Sequence, residues 1–228
     1  MFDVHIKLSR FEAAVKAHEM RGHQTRRIVL SGSAGMGGPD LDCDFPRKNG
    51  SITVRDHSID GITLEEQLFF YRRLIRDYVP RVLVIQPYEN NRAAGYSVFE
   101  MMSLLSRICT YARTDIPGIK IYITDARPVI KEPCPDGDAV GIGAALLSHV
   151  KQFNQMLSEY AARYEDTTVI SFKDDARFFE DGFVGNYEKP RKELYAEDGF
   201  HFNEAGRKLY IQLLTEALAP HFEEDPYV

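Results

Sequence analysis

The chain has 228 residues, 44% of them apolar, enough for one sizeable domain around a single core. A formal net charge of −6 excludes a protein built as a whole to bind nucleic acid or an anionic membrane surface. No run is long and apolar enough to span a bilayer, and the polar start MFDVHIKLSR does not fit a signal peptide, so a cytoplasmic protein is expected.

Leu8, Phe11 and Val15 recur at helical spacing, with Ala14 beside them, and predict an N-terminal helix over 6–20. A short strand, 27–30, then runs into the glycine loop SGSAGMGG, and 51–55 forms a second strand. Thr63 with Glu66 fits a capping box, and Leu64, Leu68, Tyr71, Leu74 and Ile75 share one face of a helix over 63–78 that Pro80 stops. The branched apolar run 81–86 reads as a buried strand, 96–113 as a helix and 119–124 as a strand. Residues 139–164 read as a helix with a break near Gly141 and Gly143, and 167–172 as a fifth strand. A polar, irregular stretch, 173–197, leads to a last helix from about 204 to about 218, capped by Asn203. This alternation predicts one α/β domain over 1–228, with a central five-stranded parallel sheet and helices on both faces. Ligands of such sheets bind beyond the carboxyl ends of the strands, so the residues there carry the functional argument.

Ser33 follows the first strand between Gly32 and Gly35, where a sharp turn would expose its hydroxyl. The loop lacks the Gly-Lys-Ser/Thr of a phosphate-binding loop, the spacing of a dinucleotide fingerprint, and the first glycine of a G-x-S-x-G elbow. After the third strand, Asn90 is placed to aim an amide N–H at a developing oxyanion, and Glu89 with Arg92 reads as a solvated pair. Asp198 and His201 lie three residues apart in a tight turn before the last helix. That spacing lets the carboxylate accept the Nδ1–H, fix the tautomer and leave Nε2 free as a base. His57, in the loop after the second strand, is a candidate substrate contact. No cluster offers three metal ligands at sensible spacing, and the scattered Cys43, Cys109 and Cys134 indicate neither a disulfide framework nor a zinc site.

Taken in order, these segments resemble the four blocks of the SGNH (GDSL-type) hydrolases over about residues 10–220. The Gly-Asp-Ser block is similar to Ser31-Gly32-Ser33, and the Asn-x-Gly-x-x-Gly block to Asp56-His57-Ser58-Ile59-Asp60-Gly61. The Gly-x-Asn-Asp block is similar to Tyr88-Glu89-Asn90-Asn91, and Asp-x-x-His is met in full by Asp198-Gly199-Phe200-His201. The resemblance implies a flavodoxin-like three-layer α/β/α fold and a serine esterase acting on a small or medium carboxylic ester, an acetylated carbohydrate being one candidate. It makes Ser33 the nucleophile, His201 the general base and Asp198 its orienting partner. The oxyanion hole would be the N–H groups of Ser33 and Ser58 with the Asn90 side chain, and no metal or organic cofactor is needed. Tyr88, at a glycine position, adds bulk near that hole and would contact substrate. The alternatives are an acyltransferase using the same triad, a catalytically silent relative that binds a ligand or partner, and, more remotely, a phosphate-binding flavodoxin-like module.

Overall fold

A computed structural model of the chain describes residues 4–21, 27–32, 44–48, 51–133, 139–141 and 143–223. In chain order the elements are α1 (Val4–Met20), β1 (Ile28–Gly32), β2 (Arg47–Lys48), β3 (Ser51–Ile52), β4 (Val54–Asp56), α2 (Leu64–Phe69), α3 (Tyr71–Leu74), β5 (Val82–Gln86), α4 (Glu89–Ala93), α5 (Val98–Asp115), β6 (Lys120–Thr124), β7 (Lys131–Pro133), β8 (Ala139–Gly141), α6 (Ala144–Ala161), β9 (Thr167–Ile170) and α7 (Glu204–Glu223). Five strands form the main sheet in the order β4-β1-β5-β6-β9, and every pairing in it is parallel. Two antiparallel ribbons, β2–β3 and β7–β8, stand apart from it.

The alternation of side chains along each strand builds two cores. Val29, Leu83, Ile85, Ile121 and Ile123 face one way, into a layer made with α1, α2, α3, α5 and α6. Ile28, Leu30, Val82, Val84 and Ile170 face the other way, against α7 and the aromatic residues of the 172–202 segment. Helix α5 starts at a capping box, with Ser97 Oγ accepting from Glu100 N–H and a Glu100 carboxylate oxygen accepting from Ser97 N–H at 2.8 Å. Its Met101, Leu105, Ile108 and Ala112 then recur at helical spacing on the buried face.

Four sequence expectations shift in detail. The helix expected over 63–78 breaks at Phe70 into α2, α3 and a 3₁₀ turn, Arg76–Tyr78. Leu64, Glu66, Gln67, Phe70, Leu74, Ile75 and Tyr78 are all buried, and at 3.6 residues per turn they would span about half the circumference of a straight helix. The break turns both halves toward the core. The strand expected over 51–55 divides at Thr53 between the β2–β3 ribbon and the main sheet. The break near Gly141 and Gly143 separates β8 from α6, because residues 139–141 pair with β7. Helix α7 runs through Pro220 to Glu223, past the expected end.

The start of α7 is pressed against the segment before it. A Cβ built at Gly206 overlaps the Leu194 carbonyl oxygen and falls 2.6 Å from a Phe202 ring carbon. Gly206→Ala is therefore expected to destabilise the protein by about 1–3 kcal/mol, the usual range for overpacking. Urea unfolding of the two proteins measures it, and unchanged midpoints would mean that the helix start yields freely.

Candidate active site

Parallel pairing brings the ends of β1, β4, β5 and β6 to one edge of the sheet. Ser33, the expected nucleophile, lies one residue beyond β1 and outside the described residues. The residues before it are fixed. Ser31 is fully buried and donates its hydroxyl to Gln67 Oε1 at 3.2 Å, so it is not an exposed nucleophile. Gly32 pairs with Gln86 in register and holds φ at 156°. A Cβ there would lie 2.6 Å from Gln86 Cβ and 3.0 Å from Gln86 O, so β1 and β5 approach too closely for a side chain. This accounts for glycine where the related block has aspartate.

The Asp198–His201 turn has the expected geometry. Asp198 Oδ2 lies 2.5 Å from His201 Nδ1, and Asp198 Oδ1 accepts the N–H groups of Phe200 (2.9 Å) and His201 (3.0 Å). Burial acts to raise the Asp198 pKa, but the His201 ring and the two backbone donors outweigh it and hold the carboxyl below its ordinary value. Both side chains remain about half exposed, so Nε2 of His201 can be reached from solvent.

That turn has little regular structure of its own, and its neighbours hold it. Tyr195 and Phe202 bridge antiparallel, and His201 O accepts from Ala196 N–H at 2.9 Å. The chain leaving β6 grips it from the other side. Gly199 O accepts from both Ile130 N–H and Lys131 N–H, and the Tyr195 hydroxyl donates to Pro128 O. Arg127 Nη1 donates to Phe200 O at 2.6 Å, with its guanidinium over the rings of Phe200 and Phe202. Asn203 caps α7 immediately after, its Oδ1 accepting from Ala205 and Gly206 N–H.

Asn90 sits in the first turn of α4, and its Nδ2 donates to Ile62 O at 2.9 Å, which places the amide against the loop after β4. In that loop the Ser58 N–H, expected in the oxyanion hole, is taken by Asp56 Oδ1 at 2.9 Å. Among the described residues the Gly61 N–H has no hydrogen-bond partner, and Gly61 adopts φ 75° beside Ile62. Asn91 is structural: its Oδ1 accepts from Leu64 N–H at the start of α2, and its Nδ2 donates to Pro87 O.

Two substrate contacts expected from the sequence are corrected. His57 is 2% exposed, donates Nδ1–H to Leu74 O at 2.6 Å and packs on Tyr78 and His18, so it is a core residue. The Tyr88 ring turns into the core beside Phe153, its hydroxyl donating to His149 Nδ1 at 3.0 Å. Its bulk is absorbed there rather than placed beside Asn90. The Glu89–Arg92 pair is also redrawn. Glu89 is buried and faces Arg127, while Arg92 faces Glu132 at 3.5 Å. Arg127 is the residue holding the Asp198–His201 turn that pattern reading missed. Its one signal was a charged residue three places beyond a buried strand. No group of three or more metal-ligating side chains occurs among the described residues, and no helix there is long and apolar enough to cross a membrane.

A GDSL-like lipase from Bacteroides thetaiotaomicron superposes with a TM-score of 0.72 at 18% identity, covering 94% of this chain and 99% of that one. A lipase/acylhydrolase from Enterococcus faecalis gives 0.65 at 16% identity, covering 86% and 97%. A carbohydrate esterase family 3 structure from Talaromyces cellulolyticus gives 0.61 at 11% identity, covering 87% and 99%. No protein-family model and no curated protein sequence matches the chain. The chain thus has the three-layer α/β/α fold of the GDSL-like, or SGNH, hydrolases.

The core position of His57 has a consequence for stability. Burial lowers its pKa to about 3, against the opposing hydrogen bond to Leu74 O. Between about pH 6.5 and 3 the unfolded chain holds this proton and the folded chain does not. Stability therefore falls on acidification, by about 1.4 kcal/mol per pH unit from this group. Urea unfolding between pH 7 and 5 is expected to show a loss of about 2 kcal/mol that His57→Phe lacks. Equal pH slopes in the two proteins would remove His57 as the source.

Proposed function

We propose that the protein is a serine esterase that hydrolyses a small or medium carboxylic ester through an acyl-enzyme on Ser33. The observation that carries this reading is the half-exposed Asp198–His201 pair at 2.5 Å, on a turn held from two sides at the carboxyl edge of the sheet. A carboxylate bound to Nδ1 leaves Nε2 as the acceptor for a serine proton and stabilises the imidazolium that forms. Ser33 Oγ attacks the ester carbonyl, His201 takes its proton and passes it to the leaving alcohol. Water, activated by the same histidine, then releases the acid.

The developing oxyanion needs donors that are placed before the reaction begins. Asn90 Nδ2 has one N–H committed to Ile62 O, and its second is available. The Gly61 N–H is the better backbone donor of its loop, because the Ser58 N–H is already held by Asp56. With the Ser33 N–H these make a three-donor hole. An acetylated carbohydrate is the substrate class we favour, supported by the likeness of this fold to that of a carbohydrate esterase.

A fluorophosphonate is expected to label Ser33, read by peptide mass spectrometry, and His201→Ala is expected to abolish the label. An unlabelled Ser33, under conditions that label a known serine esterase, would favour a catalytically silent binding protein. Asn90→Ala is expected to fold normally and lower kcat about a hundredfold or more, since one such donor is worth about 3 kcal/mol. Turnover at the parent rate would remove Asn90 from the hole.

A further inference from the structure

We infer that Glu89 and Arg127 form a positioning pair that sets the His201 turn at a fixed distance from Asn90. Its kinetic consequence rests on the esterase reading above, while its geometry does not.

Arg127 heads the largest fully buried side chains, at 2% exposure, and Glu89 is buried opposite it. Removing a guanidinium from water is costly, and a buried ion pair is weak evidence of stabilisation, since apolar residues of similar volume often do as well. The contacts show what the charge is placed to do. The closest approach of the guanidinium to Glu89 is long, Nε to Oε1 at 3.7 Å, and Nε has no hydrogen bond. The short bond goes to Phe200 O at 2.6 Å, the carbonyl that joins Phe200 to His201. The same guanidinium lies 5.1 Å from the Phe200 ring centroid and 4.8 Å from that of Phe202. The two rings that flank His201 thus rest on one rigid cation.

Glu89 completes the link. Its Oε1 also accepts the Arg127 backbone N–H at 3.2 Å, which ties α4 to the segment leaving β6. Glu89 immediately precedes Asn90, and Phe200 immediately precedes His201. A chain of contacts therefore runs from the oxyanion donor, through Glu89 and Arg127, to the general base. Arg127 with Tyr88, Arg92, Glu132 and Phe200 lines a cavity of only about 10 Å³, which leaves the guanidinium little room to find another arrangement. A pair built only for its own attraction would meet as a two-pronged fork. Here Glu89 supplies the counter-charge and the arginine's best bond goes to the catalytic turn.

The test compares Arg127→Met, the double variant Glu89→Gln/Arg127→Met, and the wild-type protein, with p-nitrophenyl acetate as substrate. Thermal unfolding is read beside kcat, KM, and the nitrogen-15 and proton resonances of the His201 ring. Arg127→Met leaves Glu89 buried without its partner and is expected to lower the melting temperature. The double variant removes both charges and is expected to recover it. Its kcat is nevertheless expected to stay about a hundredfold low, with KM within threefold, because the turn has lost its seat. The His201 Nδ1–H resonance is expected to shift or broaden in parallel. Arg127→Lys keeps the charge without the planar fork, and is expected to lose kcat by a similar factor should the apolar variants fail to fold.

Recovery of both melting temperature and wild-type kcat in the double variant would overturn the inference and leave the pair a structural one. A His201 resonance identical in all variants would overturn it as well. Absence of turnover and of Ser33 labelling in the wild-type protein would overturn the esterase reading instead. The His201 resonance would then decide the positioning role alone.

Discussion

In a parallel ladder every strand points its carboxyl end to the same edge, and its backbone hydrogen bonds lock neighbouring ends at a fixed stagger. Here that constraint sets Gly32 beside Gln86, one residue before Ser33 and four before Asn90. It also sends β6 out at the same edge, so that Arg127 emerges beside α4. The relative placement of the proposed oxyanion donor and the residue before the proposed nucleophile is thus a property of the backbone ladder. The close approach of β1 to β5 that fixes it is the one that excludes a side chain at position 32.

The proposed base is placed differently, because Asp198 and His201 belong to no strand. Their turn borrows rigidity from its surroundings: bridging backbone bonds from 194–196, paired donors from Ile130 and Lys131, and the Arg127 fork below. The irregular 173–197 segment contributes through burial. Phe178, Phe179, Leu194 and Tyr195 fill the second core, and Phe202 lies among them with Tyr210 of α7. The exposed dyad therefore stands on a buried aromatic floor. The base proposed here must be accessible and yet hold its direction, and a buried Phe202 and partly buried Phe200 on either side of an exposed His201 suit both demands.

How much of this was legible in the sequence depended on the range of each interaction. The five strands and the Asp198-x-x-His201 pair were readable because their signals are local: branched apolar runs, and two side chains three residues apart. Asn90 was readable as the polar residue after a buried strand. Glu89 was misread as a partner of Arg92 because both lie in one short segment, whereas its counter-charge stands 38 residues on. His57 was misread for a related reason. A histidine at a strand end looks solvent-facing until α1 and the 71–78 segment are seen to cover it. Tyr88 looked obstructive because sequence gives its volume and not its rotamer, and the space it fills is made by His149 and Phe153 of α6. In each case the missing information was a contact between elements distant in the chain.

The two oxygens of Asp198 bear on why an aspartate stands there. Oδ1 takes the backbone N–H groups of Phe200 and His201, which closes the turn, and Oδ2 takes the histidine ring. An asparagine can keep the first contact through its carbonyl oxygen. It would then present an N–H to Nδ1 and favour the opposite tautomer, with the proton on Nε2. A glutamate keeps both acceptors but adds a methylene to a turn whose geometry the short side chain defines. Three donors on one carboxylate also explain why its pKa stays low although part of its surroundings is dry. The residue proposed to orient the base is therefore also the residue that shapes the loop carrying it. Asp198 holds the turn closed from within and Arg127 holds it from below, so His201 is fixed in tautomer by one and in place by the other.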